Sequence, residues 1–253
     1  MNARLSVRAL VRPRPMSRAA VRGLAARLVA FAALAAVTCV AVALRGEAQQ
    51  APTAAQVAAR VQRFYDQVPV VRMRFFQTYY VKLHQRYERS SGLVTFKKPG
   101  KMLWRYDAPN RKILASDGTR IQLYEPGAEG ESGQVVETAV ADSELPQALS
   151  FLTGRGRLEA QHAFRLVDPR TQGFAVPGGQ VLELRPRRVN PNYERLLLYV
   201  TNGSMVVRVL IIGHDGNRNR FDFNQIAVSG VNAPDADFNW RPPAGTRRVN
   251  PGR

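Results

Sequence analysis

Residues 95–118 read TFKKPGKMLWRYDAPNRKILASDG, and the way this stretch pleats decides the fold. On a strand, successive side chains point to opposite faces, so Met102, Trp104 and Tyr106 share one side and Lys101, Arg105 and Asp107 the other. Leu103 is the exception to this phase. The same alternation sets Val71, Met73 and Phe75 against Arg72 and Arg74, and Ile121 and Leu123 against Arg120 and Gln122. A sheet with one apolar and one charged face follows. Its aromatic, lysine-framed face could be a nucleic-acid platform, the rim of an active site, or the wall of an apolar pocket.

Outward from this stretch the β pattern repeats. Short β-rich runs occur at Val70–Tyr80, Tyr87–Phe96, Lys101–Asp107, Arg111–Ser116, Thr119–Tyr124 and Gly133–Val140. They resume at Ala163–Val167, Gln180–Arg185, Tyr193–Thr201, Met205–Gly213 and Asn219–Val228. Asp117-Gly118 and Asn202-Gly203 suit two-residue type I′ hairpins, and His214–Asn217 a slightly longer turn. Such spacing predicts an antiparallel meander. Tyr193–Val200 and Met205–Ile212 are apolar on both faces, which predicts a cover on the outside too. A phase slip between Phe223 and Ile226 predicts a bulge.

Two helices interrupt the strands. After Pro52, Thr53 and Gln56 form a capping box, and Val57, Val61, Phe64 and Val68 make one apolar stripe that Pro69 ends. In Ser143–Thr153, Leu145, Ala148, Leu149 and Leu152 recur at helical spacing, with Gly154 as a C-terminal cap. The expectation is a mainly β (α+β) protein, an unclosed antiparallel barrel of about eleven strands. The N-terminal and mid-chain helices cross its mouth, and the tail, from Pro242 or about residue 246, is loose.

The first 48 residues stand apart. Seven arginines and no acid occupy residues 1–27, the apolar run LVAFAALAAVTCVAVAL follows at Leu28–Leu44, and small residues precede Gln49. This is the pattern of a secretory signal peptide cleaved near Ala48, with Met16 an alternative start. The Ala-rich, weakly hydrophobic run favours cleavage over an uncleaved anchor. Thr38 before Cys39 does not suit a lipidation signal, and Cys39 is the only cysteine, so the exported chain has no thiol and no disulfide. Residues 49–253 then form a single domain with 29 basic and 18 acidic residues, a net charge of about +11, to be held near anionic surfaces.

Catalytic and metal chemistry find little support. His84, His162 and His214 are far apart in sequence, without metal-ligand spacing, so neither a metal site nor a cofactor is expected. No Gly-x-Ser-x-Gly elbow occurs, and Gly154-Arg155-Gly156 lacks the third glycine of a nucleotide loop. Carboxylates stand singly, so no catalytic residue is named and no enzyme is expected. Met102, Trp104 and Tyr106 share their face with no Lys or Arg, unlike a stacking platform, so nucleic acid is not expected either. What remains is a pocket for an apolar ligand or a plain core, and the pattern alone does not separate them.

Taken together, these residues resemble the periplasmic outer-membrane lipoprotein carrier family (LolA). The likeness is carried by Thr95–Pro126, with its basic-basic-Pro step, its Trp and its Ser-Asp-Gly turn. Phe75-Phe76-Gln77, Leu145–Gly154, Asn219-Arg220-Phe221 and Phe238–Gly245 add to it, spanning nearly all of Pro52–Val249. The resemblance implies a helical lid over a hydrophobic, acyl-binding cavity. The residues that would line it are Phe75, Met102, Trp104, Tyr106, Ile121, Leu123, Leu145, Leu149 and Leu152. It further implies a monomer that accepts acylated lipoproteins from an inner-membrane ABC exporter and passes them to an outer-membrane receptor. Lys98 stands where the family has an arginine associated with lid closure, and Lys lacks the forked contacts of Arg. Gly100 and Lys101 also depart from the pattern. The alternative on the same fold is a periplasmic carrier or sensor of another lipid or glycolipid, or a membrane-anchored variant.

Overall fold

A computed structural model describes residues 51–139 and 148–249. Helix α1 spans Ala54–Gln67, and its capping box is formed: Thr53 N donates to Gln56 Oε1 at 2.8 Å, and Gln56 N to Thr53 Oγ1 at 3.3 Å. Its buried stripe is Val57, Ala58, Val61 and Tyr65, while Phe64 and Val68 are only half-buried. The expected stripe is thus rotated by part of a turn, because the large Tyr65 ring, not Phe64, faces the sheet.

The strands are β1 Val70–Val81, β2 Arg86–Lys97, β3 Lys101–Tyr106, β4 Ile113–Ser116, β5 Arg120–Glu125 and β6 Gln134–Ala139. A 3-10 turn at Ser150–Thr153 and the one-turn helix α2, Leu158–Gln161, precede β7 His162–Val167. Then follow β8 Gln180–Pro186, β9 Arg195–Val200, β10 Val206–Ile212, β11 Arg218–Ala227 and β12 Arg247–Val249. All lie in one sheet of order β12-β6-β5-β4-β3-β2-β1-β11-β10-β9-β8-β7, with β12 and β7 as its two edges. The sheet is unclosed, as expected.

Two expectations about elements are corrected. The tail is not loose throughout, because β12 pairs in parallel with β6, Arg247 opposite Gln134 through Val249 opposite Val136. Three residues are too short to carry a periodic signal. The hairpins are not two-residue turns. Asn202, Gly203 and Ser204 form a three-residue loop in which Ser204, at φ 67°, takes the left-handed position expected of a glycine. At Asp117 the side chain shapes a longer turn, its Oδ1 accepting from Thr119 N at 2.7 Å and Arg120 N at 3.0 Å. The bulge falls as anticipated, between Asn224 and Ala227 of β11, with Gln225 at φ 48°.

Of the mid-chain helix, the described part ends in the 3-10 turn, and Gly154 caps it at φ 73°. Leu145 and the expected start of that helix lie outside the described residues, as does the expected leader at residues 1–48. Among the described residues no helix is long and apolar enough to cross a membrane.

Both faces of the sheet carry cores. The inner face packs with α1 and the 3-10 turn in the main cluster. On the outer face, Leu103 and Ala115 pack against Ala233 and Phe238, which explains why Leu103 breaks the alternation. Phe174 likewise covers Val181, Leu197 and Tyr199 behind β8 and β9.

Candidate functional site

The centre of the inner face is Trp104, opposite Val94 on β2 and Leu114 on β4. Its ring is fully buried among Phe75 at 4.8 Å, Phe221 at 5.2 Å and Phe96 at 5.7 Å, centroid to centroid, all edge-on. Phe75 reaches it by leaning across β2 at Gly92, where a Cβ would stand 2.8 Å from the Phe75 ring and 2.1 Å from the Arg105 carbonyl oxygen. The same ring touches Tyr106 at 4.9 Å, and burial pushes the half-buried Tyr106 phenol up to about 12. The Trp104 Nε1 donor is buried and has no hydrogen-bond partner.

Of the residues expected to line a cavity, Phe75, Met102, Trp104, Ile121, Leu149 and Leu152 are buried together in the main cluster, with Tyr106 half-buried against it. Leu123 is half-buried and stands outside that cluster. The inner face is therefore filled by the protein's own lid side chains. Val57, Ala58, Val61 and Tyr65 come from α1, and Leu149, Phe151 and Leu152 from the 3-10 segment. A cleft of about 480 Å³ flanks α1, lined by Ala55, Ala58, Ala59, Leu158 and Phe164 among others. A wider one of about 1040 Å³ opens between Ser150, Arg155, His162 and Arg187. Neither touches the described members of the expected lining.

Lys98 sits where the lid elements meet. Its Nζ donates to the Tyr65 carbonyl in the last turn of α1, which also accepts from Val68 N at 3.2 Å, and there a cation is also favoured by the helix dipole. Its stem lies against Gly154, where a Cβ would stand 3.0–3.1 Å from Lys98 Cγ, Cδ and Cε. Burial draws the Lys98 pKa down, and Asp66 opposes this. Next to it, Gly100 N donates to the Thr153 carbonyl at 2.9 Å, tying the β2–β3 turn to the 3-10 turn. On the other side of α1, Arg157 pairs with Asp66 at 3.1 Å and Leu158 N donates to Gln62 Oε1 at 2.9 Å. The neighbouring Lys97 and Lys101 face outward instead, clasping Asp235 at 2.7 and 2.8 Å and holding its carboxyl down at about 2.

Tyr65, Phe96, Phe151 and Phe221 belong to this site without having been singled out from sequence. Phe96 faces Met102 across the β2–β3 pair, a position the pleat does specify. Tyr65 does more than pack: its Oη accepts from Val206 N at 3.0 Å, and burial pushes its phenol up. His162 is buried between the Leu158 carbonyl at 3.3 Å and Tyr193 Oη at 3.0 Å, a structural setting. No group of three metal-ligating side chains converges among the described residues.

Against known proteins, residues 66–239 match the family described as outer membrane lipoprotein carrier protein LolA. An outer-membrane lipoprotein carrier protein from Alkalilimnicola ehrlichii is 30% identical over 212 residues, covering 81% of this chain and 87% of its own. One of the same description from Nitrosospira multiformis is 29% identical over 184 residues, covering 72% and 83%. Among solved structures, a LolA superfamily protein from Nitrosomonas europaea superposes with a TM-score of 0.42 at 11% identity, over 74% of this chain and 98% of that one.

Proposed function

The chain belongs to the LolA family of outer membrane lipoprotein carriers, and on that premise we propose that it is a periplasmic carrier, not a catalyst. In this reading it receives acylated lipoproteins from an inner-membrane ABC exporter, shields their acyl chains, and releases them at the outer membrane to a receptor there. The observation that carries it is the lid. Short polar ties at Lys98, Gly100 and Arg157 hold α1 and the 3-10 turn over an inner face built around Trp104. Lifting these elements would bare Phe75, Met102, Trp104, Tyr106, Ile121 and the underside of Leu149 and Leu152. Each acyl methylene buried there is worth about 0.8 kcal/mol, so even partial cover makes a membrane anchor portable.

The test is cargo. The chain from Gln49, produced in a periplasm and purified without detergent, is expected to carry acylated lipoproteins detectable by mass spectrometry. Trp104→Ala is expected to lose most of that cargo. Free lipid or glycolipid alone would keep the site and change its ligand. A protein that stays empty when offered inner-membrane lipoproteins would sink the proposal.

A further inference from the structure

At the end of the sheet away from the β2–β3 turn, three loops are tied together. Lys82 N in the β1–β2 turn donates to Asn217 Oδ1 at 2.8 Å in the β10–β11 turn, and His214 Nε2 lies 2.7 Å from the Asn190 carbonyl in the β8–β9 loop. Asn217 Nδ2 also donates to Tyr79 Oη at 3.2 Å. From this joined base two aliphatic side chains project into solvent, Leu83 at 85% exposure and Val189 at 95%. Tyr87, 59% exposed, stands behind Leu83 with its ring 4.8 Å from Tyr80, and the Arg218 guanidinium lies 5.8 Å from the Tyr80 ring.

Cations surround the two tips. Residues 82–89, 187–192 and 213–218 hold Lys82, Arg86, Arg89, Arg187, Arg188 and Arg218 against Glu88 and Asp215, a formal excess of four positive charges. Glu88 is already paired with Arg86, and Asp215 binds Asn217 within its own turn. The order is layered: bare aliphatic tips outermost, then tyrosines and guanidinium groups. Read from the base outward, that is the sequence of polarity met on entering a bilayer from water, with cations facing anionic lipid, tyrosines at the headgroup level and the aliphatic tips deepest. The core of a protein–protein interface is depleted of charge, whereas here the two exposed aliphatic tips are separate points set in positive charge.

We propose that this three-loop end docks on the surface of an anionic lipid bilayer, with Leu83 and Val189 inserted among the headgroups. The idea goes beyond cargo carriage and does not depend on what the inner face binds. Docking would bring the wide cleft beside Arg187 close to the membrane, since Arg187–Pro191 form both its wall and one of the three loops.

The chain from Gln49 contains the whole described core, so it is the protein to use, mixed with phosphatidylglycerol–phosphatidylethanolamine vesicles and, separately, phosphatidylcholine vesicles. Co-sedimentation with the anionic vesicles is expected, falling as salt rises. The Leu83→Ser/Val189→Ser pair is expected to weaken partitioning about tenfold or more, since each residue would forfeit the burial of its methyl groups. Neither side chain is buried in the fold, so the pair's melting temperature and cargo capture should match the parent, which separates this proposal from the carrier reading. Equal binding to neutral vesicles, no binding to either kind, or salt-sensitive binding that the pair does not change would each overturn it.

Discussion

At the scale of single residues, the unpaired Trp104 donor is the most informative group in the molecule. A buried donor without a partner costs about 1–3 kcal/mol, and this one lies among Phe75, Phe96 and Phe221, none of which carries a side-chain acceptor. Trp104→Ala should cost about 3–5 kcal/mol through the cavity it leaves. Trp104→Phe should cost much less, because the smaller ring is offset by removal of the orphaned N–H, and a thermal melt distinguishes the two. Cargo retention then reports what the donor is for. An N–H that meets the ester or amide carbonyl of an acyl chain makes the Phe variant lose cargo despite its stability, whereas a ring that merely packs leaves retention intact. The pleat of residues 101–107 already placed Trp104 beside Met102 and Tyr106 on one face. It could not show that Leu103, the residue out of phase, answers Phe238 some 130 residues later, because that contact is set by where the chain returns.

Among the elements, the lid is held where three of them converge on Lys98. Losing one hydrogen bond to the Tyr65 carbonyl should cost about 0.5–1.5 kcal/mol of local, not global, stability. Hydrogen exchange on Lys98→Ala should therefore quicken at the end of α1 and across residues 150–154 while β1, β2 and β11 keep their protection. Unchanged exchange in α1 would mean that Lys98 is no latch. The Lys98 ammonium reaches one carbonyl here, a contact a guanidinium N–H can also make, so Lys98→Arg should hold α1 at least as firmly. Eleven of the twelve strands were legible, because each runs four residues or more as an alternating or continuously apolar segment bounded by turn residues. What escaped was decided by tertiary context. β12 exists because β6 offers it an edge, α1 turns Tyr65 inward because Val206 offers its hydroxyl a donor, and Ser204 takes a left-handed position because a three-residue loop places it there. The candidate site was legible as a face but not as a filled one, since sequence pattern does not tell an apolar wall from an apolar core.

For the whole molecule, the consequence lies in what fills the inner face. The α1 residues packed into the main core occupy inner-face space that a guest would need on the proposed reading, so the helix would behave as a tethered competitor with a fixed effective concentration. Apparent affinity for any acyl chain is then a difference between two burial terms, and weakening the host's own packing should tighten the guest's. Val61→Ala tests this: it should lower the stability of the empty protein by about 2 kcal/mol yet raise its affinity for a fluorescent acyl probe several-fold, read by titration. A parallel fall in both would show that α1 shapes the guest's site instead of contesting it. On the competitor view, the guest never leaves an empty hole behind. The helix takes its place as it departs, so handing a lipid onward becomes an exchange of one apolar surface for another, with little exposure to water at any stage.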